Sequence, residues 1–441
     1  VTAPIRFSGF HAKTQCMKTE HMTPAAPTKY LRDYAPTAYA RPRIDLNFDI
    51  RSAGEVIVTS RQWFEKRSIT PLGAPLVLDG EHQKVLSVKV NGGEASPVLA
   101  DNKLTLTDLP ETFELEIVSQ ISPETNTRLE GLYASNGMLC TQCEAEGFRS
   151  IAYTYDRPDC LGTYTVRIEA DKESYPILLS NGNNTENGDL PDGRHFAVWH
   201  DPYPKPAYLF ALVAGQLNYI EDFHTTMEAR RVTLRIYVRP GDEKRAEFAM
   251  RSLIKSMEWD ERAYGRNYDL DIFNIVAVSD FNFGAMENKS LNIFNARLVL
   301  ADLETATDAD FVNIEAVVGH EYFHNWTGDR ITCRDWFQIT LKEGLTTLRE
   351  QQFAEESNGY ALQRINDVNF LRQHQFSEDA GPMAHPIRPD QYIEINNFYT
   401  TTVYEKGAEV IRMMRTLLGQ EAYRKGTDLF FERHDGQAVT C

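Results

Sequence analysis

In "VVGHEYFHNW" (residues 317–326) two histidines, His320 and His324, stand four residues apart, with Glu321 directly after the first. On a helix, residues one turn apart share a face, so both imidazoles and the carboxylate project into an arc of about 100°. Zinc takes neutral nitrogen donors at a fixed separation. The i, i+4 spacing supplies two from one rigid element, with a carboxylate beside them. A catalytic zinc takes three protein ligands and keeps a fourth position open, so a third donor is required. Glu343, in "LKEGLTTLREQQF", opens a second helical pattern with Leu345, Leu348 and Phe353 as its apolar stripe. A helix, a loop and an antiparallel helix bring Glu343 beside the histidines, giving a His2Glu site for one zinc ion per chain. Glu350, on the same face as Glu343, reads equally as an acceptor that orients a ligand histidine and as a solvated charge. The chemistry implied is metal-assisted amide hydrolysis. Zinc polarises a carbonyl and lowers the pKa of a bound water to about 7, while Glu321 takes the water's proton and returns it to the leaving amine.

The elements that must carry these residues fall into two kinds. "TDAD" (307–310) is an acidic helix start ahead of the histidines, residues 242–264 carry a helical pattern, and most of 308–441 reads as helices between loops. From about 43 to 240 the pattern has a period of two instead. Ile44, Leu46, Phe48 and Ile50 alternate, as do Phe113, Leu115 and Ile117, and "VKVNGGEA" supplies an Asn-Gly turn. The expected architecture is multidomain: an antiparallel β-sandwich over 22–215, then a thermolysin-like α+β catalytic domain over 216–441, incomplete at its C-terminus. "MTPAAPTKYLRDY" from Met22 reads as a natural N-terminus, which makes residues 1–21 an extension outside the fold.

A formal charge of −17 repels polyphosphate and anionic lipid. No segment has the 18 to 20 or so apolar residues that cross a bilayer, and the first thirty residues hold no signal-peptide core. Six cysteines in 441 residues are read as reduced thiols, and Cys140-x-x-Cys143 lacks the second pair of a zinc ribbon. Sequons at Asn288 and Asn325 lie inside the chemical motifs, where a glycan would be destructive. The expected location is cytoplasmic.

The zinc motif does not say where on a peptide such an enzyme cuts. A second stretch, "FNFGAMENKSLNIF" (281–294), follows the buried strand "DIFNIVAV" and sets Gly284, Ala285, Met286, Glu287 and Asn288 in a row. Small residues there admit an extended ligand close to the backbone, and Glu287 is its lone acid. By itself the stretch reads more readily as a surface turn. Together the two motifs resemble the aminopeptidase N family of gluzincin metallopeptidases, with signatures G-A-M-E-N and H-E-x-x-H-(x18)-E. "TQCEAEGF", "WTGDRITCRDWFQ", "GPMAHPIRP" and "NNFYTTTVYEKGAEVIRM" are similar to its bacterial alanyl aminopeptidase branch. The resemblance runs from about residue 29 to the end.

The resemblance implies a role for each matched position. Glu287 and Glu144, with Gln142 nearby, would hold the substrate's α-ammonium group; Gly284, Ala285, Met286 and Asn288 complete the substrate-binding motif. Tyr404 would donate to the tetrahedral oxyanion. Phe283 stands where relatives often carry methionine, so side-chain preference does not transfer. The implied activity is removal of single N-terminal residues, with broad preference for apolar and basic ones. The expected partners are peptides with a free N-terminus, not nucleic acid or membrane, and the chain is read as a monomer. An endopeptidase, an epoxide-hydrolysing relative and a non-catalytic peptide-binding fragment are the alternatives.

Overall fold

A computed structural model describes residues 27–71 and 73–441. The expected extension at 1–21 lies outside the described residues. The alternating segments form strands because every second side chain is apolar. Ile44, Leu46, Phe48 and Ile50 of strand Tyr39–Ser52 are each at most 2% exposed. Eight strands make the largest sheet, ordered Asn183–Asp189, Arg194–Lys205, Gly162–Asp171, Tyr39–Ser52, Glu55–Lys66, Thr112–Ile121, Lys84–Val90 and Gly93–Glu94. The last two are joined by Asn91 and Gly92 at φ of 50° and 78°, the left-handed pair that a tight hairpin requires.

The sheet departs from the wholly antiparallel expectation at one place. Gly162–Asp171 runs parallel to Tyr39–Ser52, with Val166 opposite Leu46. Alternation cannot reveal this, since side chains alternate identically in both pairings; a parallel pair needs only a long connection, which the intervening strands supply.

A four-stranded sheet, ordered Gly131–Ser135, Met138–Gln142, Leu212–Gly215 and Ile177–Ser180, completes the sandwich. Its Leu139, Leu179 and Val213 share a core with Leu46, Phe48 and Ile168, and Phe210 stacks on Phe48 with centroids 5.8 Å apart. That core continues into Val276, Leu291 and Ile293 of the C-terminal half. Burial is therefore continuous across the two halves.

Between Gly215 and Asn218 the chain leaves the four-stranded sheet for a mixed five-stranded one, ordered Asn218–Thr225, Arg231–Val238, Ile272–Val278, Leu291–Asn295 and Ala285–Met286. Among the described residues seven α-helices occur, the first between Arg231–Val238 and Ile272–Val278 and the rest after Leu291–Asn295: α1 (Glu247–Tyr264), α2 (Asp308–Phe323), α3 (Thr340–Asn358), α4 (Tyr360–Phe370), α5 (Phe376–Asp379), α6 (Gly407–Leu418) and α7 (Gln420–His434). None is long and apolar enough to cross a membrane. π-helical turns at Leu371–Gln375 and Thr402–Lys406 lead into α5 and α6.

Three local devices set α2, α3 and α6 against one another. Thr307 and Asp310 form a reciprocal capping box that starts α2. Gly319 lets α3 approach, since a Cβ there would meet the Phe353 ring at 2.9 Å. Where α2 ends and its last carbonyls lose helical partners, buried Arg349 of α3 donates to the Phe323 carbonyl at 2.7 Å.

Candidate active site

His320 lies in the last turn of α2 and His324 caps it, while Glu343 lies in the first turn of α3. Their donor atoms converge. The two Nε2 atoms are 3.0 Å apart, and Glu343 Oε2 is 3.4 Å from the first and 3.3 Å from the second. Each ring is oriented from behind: His320 Nδ1 donates to Glu350 Oε2 at 2.8 Å, and His324 Nδ1 to the Thr327 carbonyl at 2.9 Å. With the protons committed to Nδ1, both Nε2 atoms present lone pairs. Glu343 Oε2 is buried without a hydrogen-bond partner. Three acceptors facing one another repel unless a cation lies between them, so this set fits a metal ion. Burial disfavours charge on His320, yet Glu343 and Glu350 outweigh it and hold its pKa well above the usual value. The triangle draws positive charge.

The second cluster adjoins the first. Glu144 follows strand Met138–Gln142 of the sandwich, Glu287 follows strand Ala285–Met286 at the edge of the five-stranded sheet, and both are buried. Lys342 Nζ lies 2.7 Å from Oε1 of each and also contacts Glu343 Oε1. One ammonium group thus binds three carboxylates from three elements. Burial pushes the Glu144 carboxyl up to about 8, against the pull of Lys342 and with the push of Glu287 and Glu343. Burial also opposes ionisation of Glu287, but there Lys342 and His324 win and hold it below the usual range. Glu321 has a carboxylate oxygen within 4.8 Å of both Glu287 and a His324 ring nitrogen. Burial, with Glu287 and Glu343, raises its pKa well above the usual carboxylate value, against the pull of His320 and Lys342.

The family models match both halves: the Peptidase M1 N-terminal domain over residues 76–209 and the Peptidase family M1 domain over 248–441. The chain belongs to peptidase family M1. It is 55% identical over 424 residues to Aminopeptidase N of Escherichia coli (strain K12), covering 95% of this chain and 48% of that one. It is 54% identical over 419 residues to Aminopeptidase N of Caulobacter vibrioides, covering 93% and 47%. Among solved structures, Legionella pneumophila aminopeptidase A in complex with aspartic acid matches with a TM-score of 0.88 at 36% identity, covering 94% of this chain and 48% of that chain. The M1 chain thus spans about half the length of these relatives.

The remaining positions singled out in this M1 chain are placed as follows. Ala285 and Met286 pair with Phe294 and Ile293, and Gly284 accepts from the Asn295 N–H at 2.9 Å. The stretch is a sheet edge with Met286, Glu287 and Asn288 buried, not the surface turn it resembles when read alone. Its free edge suits an extended ligand. Gln142 is buried and donates to the Glu144 carbonyl at 3.3 Å, with its own Oε1 unpartnered; Asn288 is buried with neither side-chain atom paired. Among the described residues neither bonds to the clustered carboxylates. Tyr404 stacks on His320, centroids 6.1 Å apart and planes 20° from parallel. Cys140 and Cys143 are buried free thiols, and no metal-binding group among the described residues includes them.

Two residues escaped sequence reasoning. Lys342 is next to Glu343, and adjacent helical residues do not share a face, so periodicity gives no reason to choose it. Charge bookkeeping could have done so, because four buried acids require a buried cation. Tyr399, which donates to Glu144 Oε1 at 2.8 Å, left no signal in spacing or composition.

Proposed function

We propose that this chain carries the active site of a zinc aminopeptidase that removes single residues from the free N-terminus of peptides. One observation supports the reading above the rest: the three-acceptor triangle lies beside two buried carboxylates that already share one ammonium group. His320, His324 and Glu343 would hold the zinc, which when bound polarises the scissile carbonyl and lowers the pKa of a coordinated water to about 7. Glu321 takes the proton from the attacking water and passes it to the departing amine. Glu287 and Glu144 bind the substrate's α-ammonium through carboxylate oxygens beside those that engage Lys342. Gln142 and Asn288 bring unpartnered polar atoms to the same ligand. The edge at Gly284, Ala285 and Met286 pairs with the extended substrate backbone, and the Tyr404 hydroxyl donates to the oxyanion. A blocked N-terminus brings no ammonium to the carboxylate oxygens that Lys342 leaves over, which is how the site selects a free amine.

The switch of sheets between Gly215 and Asn218 supports a division into an N-terminal domain ending at 215 and a catalytic domain from 216. The resemblance supports broad action on apolar and basic first residues, and we place the chain in the cytoplasm. The test pairs an alanyl anilide with its N-acetylated twin on zinc-loaded protein. Turnover of the free amine alone is expected, and Glu287→Ala narrows the difference; equal turnover of the pair by the unsubstituted chain removes the aminopeptidase reading. Metal analysis precedes it, with one zinc per chain expected and none taken up being the refuting result.

A further inference from the structure

One carboxylate oxygen holds the turn that delivers Tyr404. Oε2 of Glu378, in α5, accepts from Thr401 Oγ1 at 2.9 Å and from both the backbone N–H and Oγ1 of Thr402 at 2.7 Å. Those donors lie where the Thr402–Lys406 turn begins. An N–H at the start of a helical segment has no partner within that segment. Thr402 and Val403 are fully buried, so water cannot serve as that partner and Glu378 does. The same stretch grips the rest of the turn: Gln375 Nε2 donates to Thr402 Oγ1 at 3.3 Å, and Lys406 Nζ donates to Asp379 Oδ2 at 2.8 Å. From the opposite side α6 is drawn against α3, since a Cβ on Gly344 would lie 3.0 Å from Gly407 Cα. Tyr404 is thus framed by α3 and by Gln375–Asp379. The frame stacks its ring on His320 from a π-helical turn, a rare conformation frequent at functional sites.

We propose that Glu378 is a positioning residue for transition-state stabilisation, setting the register of the Thr402–Lys406 turn so that the Tyr404 hydroxyl meets the developing oxyanion. The inference rests on the oxyanion role proposed for Tyr404. Glu378 touches no reacting atom, so its influence passes entirely through the turn. It follows that removing Glu378 from a protein already lacking the Tyr404 hydroxyl costs nothing further, whereas a residue that merely supports the fold costs the same in both backgrounds.

The experiment is a double-mutant cycle on the zinc-loaded full chain with two readouts. One is kcat and KM on an alanyl anilide. The other, which needs no turnover, is calorimetric affinity for a phosphinic dipeptide analogue, whose tetrahedral anion imitates the addition product, set against affinity for alanine. Glu378→Ala is expected to lower kcat about tenfold and to weaken the phosphinic analogue by a similar factor, leaving KM and alanine affinity within about twofold. Tyr404→Phe has at least that effect, and the double variant matches Tyr404→Phe. Glu378→Gln, whose Oε1 still accepts two of the bonds, recovers most of the loss; if Glu378→Ala does not fold, the cycle with Glu378→Gln shows the same non-additivity at smaller amplitude. Losses that multiply in the double variant, or that fall equally on alanine and the analogue, overturn the inference. So does a silent Glu378→Ala beside an impaired Tyr404→Phe, which leaves the role of Tyr404 standing. A Tyr404→Phe variant equal to the unsubstituted chain in both readouts removes that role and the inference with it.

Discussion

At the metal triangle the two histidines are braced from behind, His320 by Glu350 and His324 by the Thr327 carbonyl, and the open side is left to a cation. At the paired acids the bracing comes from the front: Glu144 and Glu287 come from distant parts of the chain and meet on the ammonium of Lys342. The first arrangement fixes direction, because a hydrogen bond on one ring nitrogen aims the other. The second fixes charge balance, because buried carboxylates stay close only if a cation lies between them. In the proposed reaction, catalysis needs the former and recognition of a free amine needs the latter. Lys342 and Glu343, neighbours in the first turn of α3, join the two.

Glu321→Gln tests the catalytic side most severely: turnover is expected to fall by about 10²–10⁴ with zinc content unchanged. Loss of zinc along with activity would mean that the base and the metal site are not separable. On the recognition side, Lys342→Met leaves three buried carboxylates without their cation and is expected to cost about 3–5 kcal/mol in denaturant unfolding. A cost below about 1 kcal/mol would show that the acids do not depend on it. Glu350→Ala removes the brace behind His320 and is expected to weaken zinc binding about 10- to 100-fold in competition with a chelator. An equal loss on removing Glu144 would erase the distinction between aimed and balanced groups.

The smallest effect is one of sign, measured on metal-free protein. The folded-state pKa of Glu144, about 8, is above its unfolded value, so the folded chain holds a proton there that the unfolded chain has released. Its contribution to stability therefore becomes less favourable as pH rises from the unfolded value towards 8. The pKa of Glu287 is lowered, so its ionised form stabilises above the unfolded value and that support is lost on acidification. Relative to the unsubstituted chain, Glu144→Gln is expected to gain in Tm as pH rises from 5 to 8. Glu287→Gln is expected to lose least at low pH. Parallel pH profiles for the two variants would show that both acids experience the same field.

Legibility in the sequence follows the same division. His320, Glu321 and His324 lie within one helical turn and Glu343 opens the next long helix, so local periodicity sufficed to bring them together. Glu144 and Glu287 belong to separate sheets, and nothing in composition or spacing pairs them; only the family resemblance did. Lys342 and Glu378 act through contacts that local patterns do not encode. The strand alternation announced the sandwich yet could not disclose that Gly162–Asp171 runs parallel to Tyr39–Ser52, because facing is shared by both pairings while direction is a property of the connection.

The adjacency of Lys342 and Glu343 also sets an order in time. During synthesis Glu144 emerges about 200 residues before the lysine that balances it, an interval of roughly 10–40 s at ordinary elongation rates. Throughout that interval the sandwich must keep an unpaired acid wet or protonated on a face it will later bury. The residue that relieves it is followed at once by the third metal-facing side chain. The cation that balances the paired acids and the last acceptor of the triangle are therefore made within the same fraction of a second, so neither cluster can close long before the other.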